Sequence, residues 1–282
     1  MKKLRKEFPI EKMSKVFGVT RSGYYRFLST NKGKRAQEEE SLTQEIEKIF
    51  YEHKKRYGSP RMFMELKEKG FSCSEKRVAK IMKKNMLVAK RRKKWKVKKL
   101  VVKEKKPNLL NQDFKAEKKN SKWVSDITYI RTKEGWAYLC AVMDLYSRKI
   151  IGHSIKKHMR KELVIQTLEQ AISRRGSVVG LIFHSDQGSQ YGSESINQSL
   201  KENNILGSMS GKGSCYDNAA MESFFNSLKR ECIGSEIFID IQTAEKEIFN
   251  YIECYYNNKR KHSSLGYLSP VKFEEKHEKS LC

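Results

Sequence analysis

The order of elements in this 282-residue chain predicts an α/β fold, a mixed five-stranded sheet preceded by an all-α front end. Three observations carry that expectation. Up to about residue 90 the apolar residues recur at helical spacing, and from Ser121 strand-like alternation replaces it. The second part then reads as three strands and a helix, followed by strand, helix, strand and helix. The charge divides at the same place. Residues 1–120 hold 37 Lys+Arg against 14 Asp+Glu, and residues 121–282 hold 22 against 19, so the excess cations sit almost wholly on the helical part. A solvated surface normally mixes both signs; a single-signed one suits a polyanion such as nucleic acid.

The front end opens with a helix-turn-helix pattern over residues 10–28. Ile10, Met13 and Phe17 share a helical face, Gly18 supplies the positive φ of a tight turn, and Thr20 or Ser22 caps the next helix. Tyr24, Phe27 and Leu28 are expected to face back, leaving Arg21, Ser22 and Arg26 toward a DNA groove. A helix over 38–53 follows, with Leu42, Ile46, Ile49 and Phe50 as its stripe. A second helix-turn-helix candidate comprises helices over 61–69 and 74–85. Ser72 and Glu75 have capping-box spacing, and Lys76, Arg77, Lys80, Lys83 and Lys84 lie on its recognition helix. Residues 90–106 form a self-repelling basic arm that includes Arg91 and Arg92; Trp95 within it either stacks on a base or docks on a neighbour.

Strands are expected over 123–131, 136–144 and 148–156, then a helix over 161–174 and an apolar strand over 178–184. A helix over 194–203, a strand over 205–209 and a helix from about Asp217 complete the pattern. This order is ribonuclease-H-like. The expected domains are 1–34, 35–90, a linker arm 91–117, a catalytic core 118–235 and a helical extension 236–282. The longest apolar run, Trp136–Met143, is far short of the ~20 residues of a membrane helix, and six cysteines lack any C-x-x-C pair. Both features point to a cytoplasmic protein with free thiols and no membrane partner.

Three carboxylates stand out. Asp126 sits within a strand among aliphatic neighbours, where a cation must offset its desolvation. Asp186 follows an apolar strand directly, and Glu222 lies near a helix start. A strand aspartate can pair with an arginine, and an early-helix glutamate is commonplace. Together, on this element order, the three suit phosphodiester transfer, in which two hard cations ~4 Å apart activate the attacking oxygen and stabilise the leaving one. An all-oxygen donor set favours Mg²⁺. Lys229, seven residues after Glu222 on the same helical face, either holds a phosphate beside that pair or is a surface lysine. Asp144 is a rival acid that reads better as a turn cap, and Asp217 reads as an N-cap. His184 either orients a water or fills a pocket, with the structural role favoured, and Tyr251, Tyr255 and Tyr256 read as core. Arg260 and His262 either touch DNA or brace the catalytic helix.

Several motifs carry a resemblance: Gly-Val-Thr-Arg-Ser-Gly-Tyr-Tyr (18–25), Tyr-Gly-Ser-Pro-Arg (57–61), Lys-Arg-Val-Ala-Lys-Ile-Met (76–82) and Trp-Val-Ser-Asp-Ile-Thr-Tyr-Ile (123–130). His-Ser-Asp-Gln-Gly-Ser-Gln-Tyr (184–191), the helix Asn-Ala-Ala-Met-Glu-Ser-Phe-Phe, and the run from Tyr256 to Pro270 extend it over nearly the whole chain. The sequence resembles transposases of the insertion-sequence-three type, the second-reading-frame product (OrfB), with a retroviral-integrase-like core. The resemblance implies a DDE recombinase that uses Mg²⁺ or Mn²⁺, with Asp126, Asp186 and Glu222 as ligands and Lys229 contacting DNA. It also implies double-stranded DNA partners (terminal repeats and target), a homo-oligomer on DNA, and an upstream-frame (OrfA) partner or fusion. A DNA-binding regulator with a non-cutting core and a ribonuclease H-type nuclease are the competing readings; the complete set of acids counts against the first and the basic front end against the second.

Overall fold

The computed structural model describes residues 1–29, 34–90, 106–211, 215–234 and 237–278. The chain forms two compact units, Met1–Ala89 and Lys90–Cys282.

In the first unit α1 (Ile10–Val16) and α2 (Arg21–Ser29) flank a turn where Gly18 has φ +63°. Thr20, not Ser22, caps α2: its Oγ1 accepts from the Gly23 amide at 3.0 Å. Met13 and Tyr24 are buried, but Phe17 and Phe27 are exposed, against expectation. Phe17 lies past the end of α1, off its buried stripe. In α2 the inward line runs from Tyr24 to the half-buried Leu28 at i+4, and Phe27 at i+3 turns outward. Next come α3 (Lys34–Glu52), α4 (Ser59–Glu68) and α5 (Glu75–Lys84). Leu42, Ile46, Ile49 and Phe50 are buried along α3, as are Val78, Ile81 and Met82 along α5. The cap of α5 is Ser74, whose Oγ accepts from the Arg77 amide at 3.2 Å; Ser72 lies too far before the helix to do so.

The second unit holds the mixed sheet. Strands β1 (Lys122–Thr132), β2 (Gly135–Asp144) and β3 (Ile150–Lys156) form an antiparallel meander. After α6 (Lys161–Arg175), β4 (Ile182–Ser185) pairs parallel to β1; after α7 (Glu194–Glu202), β5 (Leu206–Met209) pairs parallel to β4. The order is β3-β2-β1-β4-β5, which places β1 at the centre. β4 is shorter than the apolar run suggests. Val178 and Leu181 are buried, but they lie in a turn with Gly180 at φ +77°, and pairing with β1 begins only at Lys122↔Ile182.

One sheet face, with Trp123, Cys140 and Val142, joins Leu163, Leu168 and Ala171 of α6 and Ile196 of α7 in the core. The other face sets Val124, Asp126, Thr128 and Ile130 opposite Met143, Ala141, Leu139 and Ala137. It receives α8 (Ala219–Leu228), which runs on into a π-helical turn at Lys229–Ile233, and α9 (Ile241–Phe249), which continues as a π-helical stretch to Tyr256. The last element among the described residues is α10 (Pro270–Glu278). The C-terminal segment seals the sheet edge: the Asn257 side-chain amide accepts from Ile150 N at 3.0 Å and donates to Ile150 O at 2.9 Å, satisfying an edge residue as a sixth strand would.

Candidate active site

Strand register builds the site. β1 and β4 run parallel, with Val124 beside His184. Asp126 follows two residues later within β1, and Asp186 is the first residue past the carboxyl end of β4. Asp126 is buried at 6% exposure and its Oδ1 accepts from the Ile127 amide at 2.8 Å. Asp186 Oδ1 accepts from the Gly188 amide at 3.0 Å. A side chain on Gly188 would meet that oxygen and Gln190 Oε1, each at 3.0 Å, so glycine lets the loop fold tightly around the carboxylate.

Beneath the pair lies a network that the motifs did not suggest. Tyr191 Oη is 2.8 Å from Ser125 Oγ and 3.7 Å from Cys140 Sγ, all buried. Burial first, then Cys140 and the anions of Asp126 and Asp186, push the Tyr191 phenol well above its usual range. Burial also takes the Cys140 thiol up to about 11. Both groups therefore stay protonated, and Tyr191 feels both carboxylates at once. Cys140 and Tyr191 are 51 positions apart, so only the fold reveals the pairing.

Glu222 is exposed, in the first turn of α8. The helix start is pinned beside Asp126, because Asn218 Nδ2 donates to Ser125 O at 2.9 Å, and Glu222 follows Asn218 by four residues. Among the described residues no three His, Cys, Asp or Glu side chains converge closely enough to hold a metal ion together. Asp126 and Asp186 lie near enough to one point that both act on the Tyr191 phenol. An all-oxygen pair with one anchored oxygen each fits a hard divalent cation that retains waters. Lys229, half-buried, begins the π-helical turn; seven residues at ~100° each return it to the Glu222 side of α8.

The neighbouring candidates sort plainly. Asp144 caps its turn as expected, accepting from the Tyr146 amide at 3.0 Å, and pairs with Arg175 at 3.4 Å. Asp217 does not cap α8. Its carboxylate is taken by Asn108 Nδ2 (2.9 Å), Gln112 Nε2 (3.1 Å) and the Gly211 amide (2.8 Å), which staple the incoming chain to this loop. Tyr251, Tyr255 and Tyr256 are buried, as the spacing suggests. Arg260 braces α8 and the turn that follows it: it donates to Glu231 Oε2 and Oε1 at 2.9 Å each and to Ser227 Oγ at 3.0 Å.

His184 is structural, its ring nitrogens 2.9 Å from Ser208 Oγ and 3.2 Å from Ser210 Oγ. Burial lowers its pKa to about 4. A histidine held neutral in the fold contributes stability that is complete above the unfolded pKa of ~6.5 and lost as pH falls from there to about 4. Denaturant melts should therefore lose up to about 1.4 kcal/mol per pH unit in that window. His184→Gln should flatten the slope; an unaltered slope would remove His184 as its source.

Among the basic candidates of the first unit, Arg21 forms an exposed 3.9 Å pair with Glu11, and Arg26, Lys76 and Lys80 are exposed. Arg77 is half-buried at the cap of α5. Lys83 and Lys84 are also exposed, Lys84 pairing with Glu39 at 3.2 Å. Arg91, Arg92 and Trp95 lie outside the described residues.

Residues 116–215 and 222–277 each match a family described as Integrase core domain, and residues 36–95 match an HTH-like domain. The chain is 43% identical over 283 residues to the transposase InsF for insertion sequence IS3A of Escherichia coli (strain K12), covering 98% of this chain and 97% of that one. It is 45% identical over 240 residues to the transposase for insertion sequence element IS904 of Lactococcus lactis, covering 84% and 95%. Among solved structures, the catalytic core domain of BIV integrase aligns with a TM-score of 0.41 at 16% identity, over 57% of this chain and 99% of that one. A chain of the simian T-cell lymphotropic virus intasome in complex with PP2A regulatory subunit B56 gamma aligns at 0.45 and 13%, over 81% and 73%.

Proposed function

Because the chain belongs to the IS3 family of transposases, DDE-type strand-transferring enzymes with an integrase core, we propose that Asp126, Asp186 and Glu222 are its catalytic carboxylates. The observation that supports this reading is that Asp126 on β1 and Asp186, just past the parallel neighbour β4, each have a carboxylate oxygen held by a backbone amide and both act on the Tyr191 phenol. These two residues, joined by Glu222 from α8, would hold Mg²⁺ or Mn²⁺, two ions per site. Such ions supply Lewis acidity at the attacking and leaving oxygens of an in-line phosphoryl displacement.

The protein's own contribution is placement. Backbone donors fix the two aspartates before DNA arrives, so little reorganisation is left for the transition state. Lys229 lends a cation to a phosphate on the same side of the helix as Glu222. The helices of the first unit and the arm through Arg91 and Arg92 hold double-stranded DNA, with Arg21, Arg26, Lys76, Arg77 and Lys80 as contacts to the terminal repeat. A homo-oligomer assembles on paired ends, with or without an upstream-frame partner.

The test is strand transfer by purified protein on a labelled duplex bearing the element's end, in Mg²⁺ or in EDTA. Joined product that requires the metal is the expected result; joining in EDTA would remove the carboxylates from the chemistry. A second expectation concerns the excess charge. Each phosphate contact contributes about −0.9 to the slope of log affinity against log salt on duplex DNA. Deleting residues 1–106 should therefore flatten that slope by several units, and an unchanged slope would place the DNA contacts elsewhere.

A further inference from the structure

On the sheet face opposite the carboxylates, Tyr129 and Trp136 are left exposed by α6 and α7, beside the half-buried Tyr138, which packs against the core those helices form. The β1–β2 register sets Tyr129 across from Tyr138 and Arg131 across from Trp136, and the β2–β3 register sets Tyr138 across from Lys156. By strand alternation all five side chains emerge on the same face. The Tyr129 ring packs edge-on against both others, with centroids 6.3 Å from Trp136 and 5.4 Å from Tyr138. Trp136 is 54% exposed and Tyr129 38%.

The cations complete the surface. Arg131 is exposed and Lys156 half-buried, and neither is paired with a carboxylate among the described residues. Lys157, one residue on and facing the other way, does have a partner, Glu134 at 3.7 Å. Aromatic rings interleaved with unneutralised cations on adjacent strands are chemically complementary to unstacked bases joined by phosphates. A duplex offers its bases only edge-on in the grooves, so it cannot use such a face; an unpaired strand can.

We propose that Tyr129, Trp136 and Tyr138, flanked by Arg131 and Lys156, form a stacking platform for unpaired DNA. The ligand is the single-stranded end or flank that strand cutting and joining expose. The assignment rests on the reading of the chain as a DNA strand transferase. It concerns a surface separate from the carboxylates, and it commits to DNA strands rather than to a second copy of the chain.

The experiment uses the full-length protein and two labelled probes, a single-stranded 20-mer and a blunt duplex of the same sequence. Trp136→Ala should weaken single-strand binding by about tenfold or more, the usual loss for one stacked base, and leave duplex affinity within about twofold. Trp136→Phe, which retains a π-face, should restore most of the loss. Single-strand affinity unaltered in Trp136→Ala, or equal losses on both probes, would overturn the platform. So would a drop in oligomeric state on sedimentation, which would give the face to a second copy. Metal-dependent joining by the wild-type protein, measured in parallel, tests the strand-transferase reading separately and does not depend on Trp136.

Discussion

Glu222→Gln should bind DNA as tightly as the parent chain and yet cut and join it at least on the order of 10³-fold more slowly. Loss of a ligand from a metal pair forfeits several kcal/mol of transition-state stabilisation, and each 1.4 kcal/mol is a factor of ten in rate. Of the three carboxylates this one gives the cleanest test. Asp126 is buried and takes the Ile127 amide, and Asp186 takes the Gly188 amide, so changing either also disturbs the backbone around it. Glu222 is exposed on α8, and its amide isostere leaves the helix and its anchor at Asn218 untouched. Single-turnover joining assays, with gel-shift affinity on the same duplex, measure both quantities. Joining at the parental rate in Mg²⁺ would take Glu222 out of the site and leave the chemistry to the aspartate pair.

Arg260→Met should cost about 3–5 kcal/mol of folding stability, because it strands a buried carboxylate. Glu231 is 1% exposed, and Arg260 meets it with two hydrogen bonds while Tyr251 Oη donates to it at 2.9 Å. Arg230 also reaches it at 2.9 Å, but from a far more exposed position that cannot replace the lost charge. The melting temperature should fall on the order of 10 °C for a unit of this size. The double variant Glu231→Leu/Arg260→Met should recover much of the loss, since a buried ion pair is often replaceable by apolar groups of similar volume. A single variant that melts within 1–2 °C of the parent would show that the pair is dispensable. Glu231 and Ser227 both lie on the helix that carries Glu222 and Lys229. Partial activity loss in the folded fraction of Arg260→Met would therefore reflect a displaced helix.

The sequence alone determined most of what depends on near neighbours. Hydrophobic spacing is local, so the order of the helices and the five strands was legible, as was Asp126 within a strand, Asp186 just past one and Glu222 early in a helix. Boundaries went astray where a longer-range contact decides: β4 stops short of Val178 because only Lys122 onward offers it a ladder partner, and Phe27 turns out because Tyr24 and Leu28 fill the inward line. Asp217 departs from the expected N-cap for the same reason, its partners Asn108 and Gln112 lying more than a hundred residues upstream. The tertiary structure alone decided how strands align. Register gathers Tyr129, Trp136 and Tyr138 on one face, and packing between distant segments brings Tyr191 to Ser125 and Arg260 to Glu231. A side chain's periodicity records which way it faces along its own element, but its partner across the sheet is fixed by hydrogen bonds and packing between segments far apart in the chain.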